Sequence, residues 1–187
     1  MKNATNCFLP RQAFFRLILS CWLAALTACS TLDHSAPPAL DSAAPWVVLP
    51  FVNNTETPLA ASRAEAIAEN LLRANGIAKL RRYPASLQQE ALFDAGEKRS
   101  QEAALEWARK EGARYALSGA VDEWRYKVGV DGEPAVGIAL SIIDVNNGEI
   151  LWSGSGGKSG WSREALSAVA QQLMRSLIQT GLSARRN

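Results

Sequence analysis

Residues 134–159 read PAVGIALSIIDVNNGEILWSGSGGKS, and this stretch decides the fold. Over residues 136–142 an apolar side chain occupies every second position, which predicts a strand with one face toward a core. Asn147-Gly148 is a strong signal for a tight hairpin turn, so a second strand is predicted over 149–159. These two strands form the centre of an antiparallel meander.

The meander begins with a strand over 113–130, joined to the middle strand by a second turn at Asp131-Gly132. Its 18 residues at about 3.3 Å each would reach about 60 Å, far beyond the ~17–20 Å of a usual strand. The apolar parity shifts between Val121 and Trp124, which predicts a bulge near Asp122-Glu123. The strand therefore either wraps, with its bulge, on its own core or projects as a hairpin suited to pairing with a neighbouring subunit.

The segments around the meander complete one α+β domain in the order β-α-β-α-β-β-β-α. Upstream, the pattern predicts an apolar strand over 45–52, a helix from Thr57-Pro58 to Asn75-Gly76, a strand over 77–83 and a helical segment over 86–112. Downstream, an amphipathic C-terminal helix presents an apolar stripe formed by Leu166, Val169, Ala170, Leu173 and Leu177.

The N-terminus has the pattern of a bacterial lipoprotein signal that ends at Cys29. Lys2, Arg11 and Arg16 supply the positive charges of a signal, and the apolar segment over 14–26 has the length found in signal peptides and is too short for a stable membrane span. Small residues then lead into the cysteine. We expect processing to remove residues 1–28 and to acylate Cys29; the alternative is an ordinary secretory signal with a chance cysteine.

The residue after the cysteine is Ser30 rather than an aspartate, so we expect sorting to the periplasmic leaflet of the outer membrane. Residues 29–45 are small, polar and rich in proline, which predicts a lipidated cysteine followed by a flexible tether. Residues 46–187 would then form the periplasmic α+β domain.

Cleavage changes the charge balance of the chain. The precursor has 20 Lys and Arg residues against 18 Asp and Glu residues, and loss of the three signal cations leaves 17 against 18. A nearly neutral mature chain gives no electrostatic reason to expect nucleic acid as a partner. Because Cys7 and Cys21 are removed and Cys29 is acylated, no intrachain disulfide is expected.

The domain lacks the residues that common catalytic centres need. His34, the only histidine, falls in the predicted tether, so no Ser-His-Asp, Cys-His or ordinary zinc centre is expected. Residues 155–159 resemble the end of a P-loop, but Trp152 stands where that motif needs glycine. We therefore expect no enzyme activity, cofactor or metal, and we interpret these glycines as a flexible strand end and loop.

Four stretches carry a family resemblance. The opening WVVLPFVNNT over 46–55 is similar to those of CsgG-like and TolB-N-terminal-like domains and of lipoprotein activators of penicillin-binding proteins. More specific are SGAVDEWRYKVGVDGEPAVG over 118–137 and GWSRE over 160–164. Together with Leu151-Trp152-Ser153 they resemble the PelC family, the outer-membrane lipoproteins of the Pel exopolysaccharide export system.

The resemblance implies a non-catalytic, lipid-anchored subunit of a ring of about a dozen copies beneath the PelB β-barrel. An electronegative face would guide a cationic polysaccharide toward the pore, and an aromatic belt would seat the ring in the lipid. The alternative is a lipoprotein activator of a peptidoglycan synthase, or another CsgG-like secretion component.

Acidic residues near the first hairpin are candidates for guiding the polysaccharide. Asp131 and Glu133 flank Gly132 at its tip, where they are otherwise two solvated turn residues. A ring would repeat these acids around its axis and focus a negative potential. Asp122 and Glu123 at the predicted bulge are lesser candidates.

Two tryptophans are candidates for the membrane face. Trp161 follows a glycine-rich segment, and an exposed indole there would favour the lipid–water boundary. The competing interpretation is a hydrophobic staple, with Ser162 as the N-cap and Trp161 buried against Leu166. Trp152 is the alternate candidate, although its strand position equally allows it to face the core.

Overall fold

The predicted meander forms the centre of a seven-stranded sheet in the computed structural model, which describes residues 30–87, 97–129 and 132–186. In chain order its elements are β1 (Ser30–His34), β2 (Trp46–Val48), β3 (Val52–Asn53), α1 (Ala60–Ala74), β4 (Leu80–Arg82), α2 (Glu97–Lys110), β5 (Tyr115–Tyr126), β6 (Pro134–Asp144), β7 (Ile150–Ser159) and α3 (Leu166–Gly181), followed by a 3₁₀ turn (Ser183–Arg186). The predicted α+β class, the meander and the C-terminal helix are confirmed.

The strands lie in the order β1-β7-β6-β5-β2-β4, and β3 also pairs with β5. The strands β5, β6, β7 and β1 are successively antiparallel, whereas β2, β3 and β4 extend the sheet by parallel pairing. The predicted opening strand is split into β2 and β3 around Pro50, whose ring nitrogen has no hydrogen to donate to a ladder.

Helices cover the two faces of the sheet unequally. On one face α1 and α3 pack over the main core, which includes Trp46, Val121 and Ile138. On the other, α2 contributes Ala104 and Ala108 to a smaller core, whose full set of buried members is Val47, Leu49, Tyr83, Ala104, Ala108, Ala113, Ala116 and Val145. Among these buried members none belongs to β7, and only Ala116 belongs to β5.

The long first strand of the meander is bulged and pairs with β6 as far as Tyr126 opposite Pro134. The register shifts between Val121 and Glu123, so the predicted bulge is confirmed. Val121 and Trp124 are both buried because the extra residue restores their common orientation toward the core. The structure thus favours a bulged strand on its own core over a long projecting hairpin.

The prediction of a flexible tether over residues 29–45 is wrong for part of that range. Residues Ser30–His34 form β1, which pairs antiparallel with β7 over five residues, and Leu40 is buried in the main core. The interpretation of the glycines of 155–159 as a flexible strand end and loop is wrong for Gly156 and Gly157, which are paired on both sides within β7, whereas the strand itself ends at Ser159 as predicted. At Gly156 a Cβ would lie 2.7 Å from the carbonyl oxygen of Thr31, so glycine there permits the close approach of β1.

One end of the sheet gathers several chain segments, and we call it the hairpin end. It comprises Ser30 at the start of β1, loop 54–59, the turn between Tyr126 and Pro134, and loop 160–165. The Thr57 hydroxyl donates a hydrogen bond of 2.6 Å to the carbonyl oxygen of Trp124. Thr57 therefore fixes the loop to β5 rather than capping α1, which is preceded by Leu59.

Candidate functional site at the hairpin end

Exposed apolar side chains concentrate at the hairpin end. Among the described residues, six large hydrophobic side chains are exposed, and four of them lie here: Leu59, Tyr126, Val128 and Trp161. Val128 is fully exposed and Trp161 is 62% exposed. Such a cluster marks a surface for a membrane, a protein partner or another copy of the chain.

Loop 160–165 holds Trp161 through several backbone hydrogen bonds. The Glu164 carboxylate accepts the backbone N–H of Trp161 at 3.0 Å, and the backbone N–H of Glu164 donates to the Trp161 carbonyl oxygen at 3.0 Å. Gly160 fits against Pro134 and Val169, where a Cβ would come within 2.9 Å and 2.5 Å of their side chains. Any larger residue at 160 would displace this turn.

Tyr126 ties the hairpin to the same loop. Its hydroxyl accepts the backbone N–H of Leu166 at 3.1 Å and donates to the carbonyl oxygen of Glu164 at 3.3 Å. Leu166 is the first residue of α3, so the tyrosine satisfies one of the helix's free N-terminal N–H groups. The hairpin, the loop and the helix start are therefore positioned together.

The staple interpretation of Trp161 is wrong. Helix α3 begins at Leu166 after Ala165, not after Ser162, so Trp161 does not occupy the position that a staple requires. Between Ser162 and Ala165, Arg163 has a left-handed backbone with φ of 66°, which turns the chain before the helix starts. The indole is left exposed, as a membrane-facing role needs.

Trp152, the alternate membrane candidate, lies in the core. Its side chain is 1% exposed and contacts the main core beneath α3. Two glycines make room for the ring: a Cβ at Gly154 would lie 2.6 Å from it, and one at Gly181 would lie 3.1 Å away. Trp152 is thus a packing residue, and its assignment to a membrane face is wrong.

The bulge brings two of the predicted acids onto one face of the sheet. A Cβ on Gly137 would lie 3.3 Å from the Cβ of Glu123 and 3.7 Å from that of Asp122, so both acids are on its side. Gly137 follows the buried Val136, hence this is the face away from α1 and α3. Two consecutive residues share a face only because the bulge interrupts the alternation.

The four predicted acids differ in their neighbours. Glu123 pairs with Arg125 at 2.9 Å, and Glu133 lies 3.9 Å from the ammonium group of Lys127. Asp122 is exposed and accepts a hydrogen bond from Asn54 at 2.8 Å, with no ion pair among the described residues. Asp131 lies outside the described residues. Among the three described acids, Asp122, a lesser candidate from the sequence, is thus the one without an ion pair.

Sequence reasoning missed Leu59, Tyr126 and Val128 as parts of this end. Tyr126 and Val128 precede an Asp-Gly turn, where polar residues are the rule. Large apolar side chains just before such a turn are the sequence signal that indicates an exposed apolar surface. The grouping with Trp161 depends on long-range pairing of β5, β6 and β7, which no local pattern contains.

Other kinds of site find no support in the part of the chain that the structure describes. Its His, Cys, Asp and Glu side chains form no group of three or more that could hold a metal ion. A cavity of about 230 Å³ opens at the opposite end of the sheet, lined by Pro45, Trp46, Val47, Ala78, Lys79, Leu80, Arg81, Glu111 and Ala113. Within the same described ranges, no helix has the length and apolar character to span a membrane.

Comparisons with known proteins identify the family. The family model for LpoB, a peptidoglycan-synthase activator, matches residues 39–157. Two solved structures of PelC dodecamers from Paraburkholderia phytofirmans, one of them a single-substitution variant, are each 45% identical to this chain over 84% of its length. Their TM-scores are 0.69 and 0.70, and the matches cover 98% and 100% of the PelC chains.

A more distant structure agrees in fold alone. Lipoprotein GNA1162 from Neisseria meningitidis is 18% identical, with a TM-score of 0.50 and coverage of 73% of this chain and 96% of that one. No curated protein matches. The LpoB model spans more than half of this chain and the PelC likeness spans almost the whole PelC domain, so this chain belongs to the PelC family of lipoproteins.

Proposed function

We propose that this protein is a lipid-anchored subunit of a ring at the periplasmic leaflet of the outer membrane, where it guides a cationic exopolysaccharide toward its export barrel. The observation that carries the proposal is the hairpin end. It presents Trp161, Tyr126 and Val128 to the outside at the same end at which β1 begins, one residue after Cys29. An acyl anchor on Cys29 would therefore join the domain at the same end as the exposed aromatic side chains.

A ring makes these weak contacts effective. Indole and phenol rings favour the lipid–water boundary, and one buried aromatic or aliphatic side chain contributes only about 1.5–3 kcal/mol. A closed assembly repeats each contact at every subunit, so that the contacts act together. The 45% identical PelC relatives are dodecamers, which supports a similar assembly here.

The acids supply the second half of the proposed role. Asp122 and Glu123 lie on the face of the sheet that α1 and α3 leave open, and Glu133 is exposed at the hairpin turn. Around a ring axis these carboxylates would sum to a negative potential that attracts an amine-bearing polymer. No catalytic group is needed for this function.

The match to the LpoB family model favours a second candidate, a monomeric activator of a peptidoglycan synthase. Such a protein would use the same lipid anchor but would bind an enzyme instead of other copies of itself. The exposed apolar cluster at the hairpin end would then be a protein-binding surface. The two candidates differ in quaternary structure.

Native mass measurement separates the two functions. For residues 30–187, produced without the lipid, we expect a closed oligomer of about a dozen subunits, because head-to-tail contacts that close into a ring leave no free interface. Mass photometry over a range of protein concentrations gives the subunit number directly. A monomer at all concentrations would refute the ring and favour the synthase activator.

Replacing acids tests the guiding role. The variant Asp122→Asn with Glu133→Gln and Asp131→Asn is expected to keep the native mass and thermal stability of the parent, since Asp122 and Glu133 are exposed and surface charges contribute little to stability. Export of the polymer should fall, and the difference from the parent should shrink at high salt, because salt screens the parent's attraction as well. Secretion of polymer into the medium is the readout.

A control variant changes one acid away from the hairpin end. Glu149, in the turn between β6 and β7, is exposed at the opposite end of the sheet. Glu149→Gln should leave export unchanged. Equal export by the parent and the triple variant at low salt would remove these acids from the proposal.

A further inference from the structure

The N-terminal strand connects the lipid anchor to the domain in a way that composition does not suggest. Ser30 pairs with Lys158, and the ladder continues to His34 opposite Gly154. Trp161 follows Lys158 by three residues in the sequence. The chain thus enters the sheet at the hairpin end, within a few residues of the exposed indole.

Contacts beyond the ladder hold β1 at its far end and in its middle. At its far end the Ser35 hydroxyl accepts the backbone N–H of Ser153 at 3.0 Å, while the backbone N–H of Ser35 donates to the carbonyl oxygen of Ser153 at 2.9 Å. In the middle, Leu32 and Leu173 of α3 both pack above Gly156, each 3.0 Å from where its Cβ would be. Because strand side chains alternate between the two faces, a shift of β1 by one residue would turn Leu32 away from the face on which Leu173 lies.

We propose that β1 is an anchor-positioning strand that holds the acylated N-terminus beside Trp161, so that lipid chains and indole enter the same patch of bilayer. This inference rests on the proposed membrane face of Trp161. It adds that the spacing between anchor and indole is set by strand pairing and not by the reach of a tether. The partner is a phospholipid surface, which both groups contact together.

The physical consequence is a high effective concentration of the indole at the membrane. Lengthening a link of about two residues to about eight lowers that effective concentration about eightfold, since it falls roughly as the −3/2 power of length. A flexible six-residue insert also allows about 13 Å of play, more than the ~5–10 Å depth of interfacial burial. An insertion between Cys29 and the paired residues of β1 should therefore separate the acyl anchor from the indole.

Two insertions of Gly-Ser-Gly-Ser-Gly-Ser form the test. One is placed between Ser30 and Thr31, which keeps a serine after Cys29 and a serine before Thr31 but frees the anchor from the strand. The matched control is placed between Ala36 and Pro37, after β1, so that Ser30, the residue next to the anchor, stays paired in the ladder. A flexible tether would make the two insertions equivalent because both lengthen it equally.

The lipidated proteins are reconstituted into phosphatidylethanolamine–phosphatidylglycerol vesicles with brominated acyl chains, and tryptophan quenching is measured. Trp161→Phe gives the background from the other tryptophans, none of which is exposed in the described residues. We expect the parent and the Ala36 insertion to be quenched equally. The Ser30 insertion should lower the ratio of membrane-seated to unseated Trp161 about eightfold, and the Trp161-dependent quenching should fall accordingly.

A disulfide checks the strand pairing itself. Thr31 pairs with Gly157, and a Cβ at 157 would lie 3.7 Å from the Thr31 hydroxyl oxygen, which suits a cross-strand bridge. Thr31→Cys with Gly157→Cys should form an intramolecular disulfide; a purely intermolecular bridge or none would overturn the proposal. Equal quenching of the two insertions would overturn the role of β1 alone, whereas an unquenched parent would overturn the membrane face as well.

Discussion

Replacing Cys29 with serine is expected to remove this protein almost completely from the outer-membrane fraction. Serine carries no thiol for the diacylglycerol, so neither cleavage before residue 29 nor N-acylation should follow. The acyl chains contribute about 0.8 kcal/mol per buried methylene, and two or more chains hold a protein far more firmly than a single myristoyl group. Radiolabelled palmitate incorporation and membrane fractionation measure the effect.

The signal sequence supplies its own control. Cys21→Ser alters a cysteine within the apolar segment and should leave labelling and fractionation unchanged. If the Cys29→Ser protein still fractionated with the outer membrane and still lacked residues 1–28, the lipoprotein signal would be refuted. An ordinary secretory signal would then explain the N-terminus.

Much of the fold follows from local sequence because its signals are short in range. The alternation over 136–142 and the turns at Asp131-Gly132 and Asn147-Gly148 determine the meander, and Gly132 and Gly148 do adopt positive φ. The bulge was visible as a parity shift between two apolar residues of one strand. These features depend on neighbours within a few positions, which a single sequence contains.

The elements that local sequence does not predict correctly depend on partners that are distant in the chain. Nothing in STLDH predicts a strand, since its residues are exposed and mostly polar. It pairs because β7 offers an edge whose glycines admit another backbone closely, and that edge is more than 100 residues away. The glycines looked like loop residues for the same reason: their function is visible only with β1 in place.

In the candidate site, too, local sequence identifies some residues, whereas their exposure depends on contacts with distant parts of the chain. Trp161 was identified from sequence, but its exposure depends on where α3 begins, and that start is fixed by the Tyr126 hydroxyl and not by a capping side chain of its own. Trp152 was ambiguous because strand parity gives two faces and does not say which is covered. Gly181, at the end of α3, lies against the indole ring of Trp152, so the face that carries Trp152 is the one that α3 covers.

The two tryptophans are therefore expected to respond to alanine substitution in opposite ways. Trp152→Ala removes a buried aromatic ring and should lower the free energy of unfolding by about 3–5 kcal/mol. At about 2–4 °C per kcal/mol for a domain of this size, the melting temperature should fall by roughly 10 °C. Trp161→Ala removes a side chain that contacts little of the domain, so its effect should stay within about 0.5 kcal/mol.

Measuring both thermal unfolding and vesicle binding distinguishes a packing role from a membrane role for each tryptophan. Both variants are measured as residues 30–187 for unfolding and as lipidated protein for vesicle binding and export. Trp161→Ala should keep the parent's melting temperature yet reduce membrane seating and export, because the indole acts at the lipid–water boundary. Trp161→Phe should recover part of the seating, since phenylalanine retains the apolar ring and loses the indole N–H. A Trp161→Ala domain that melts several degrees lower would mean that the side chain packs against the protein, and the membrane face would have to be assigned elsewhere.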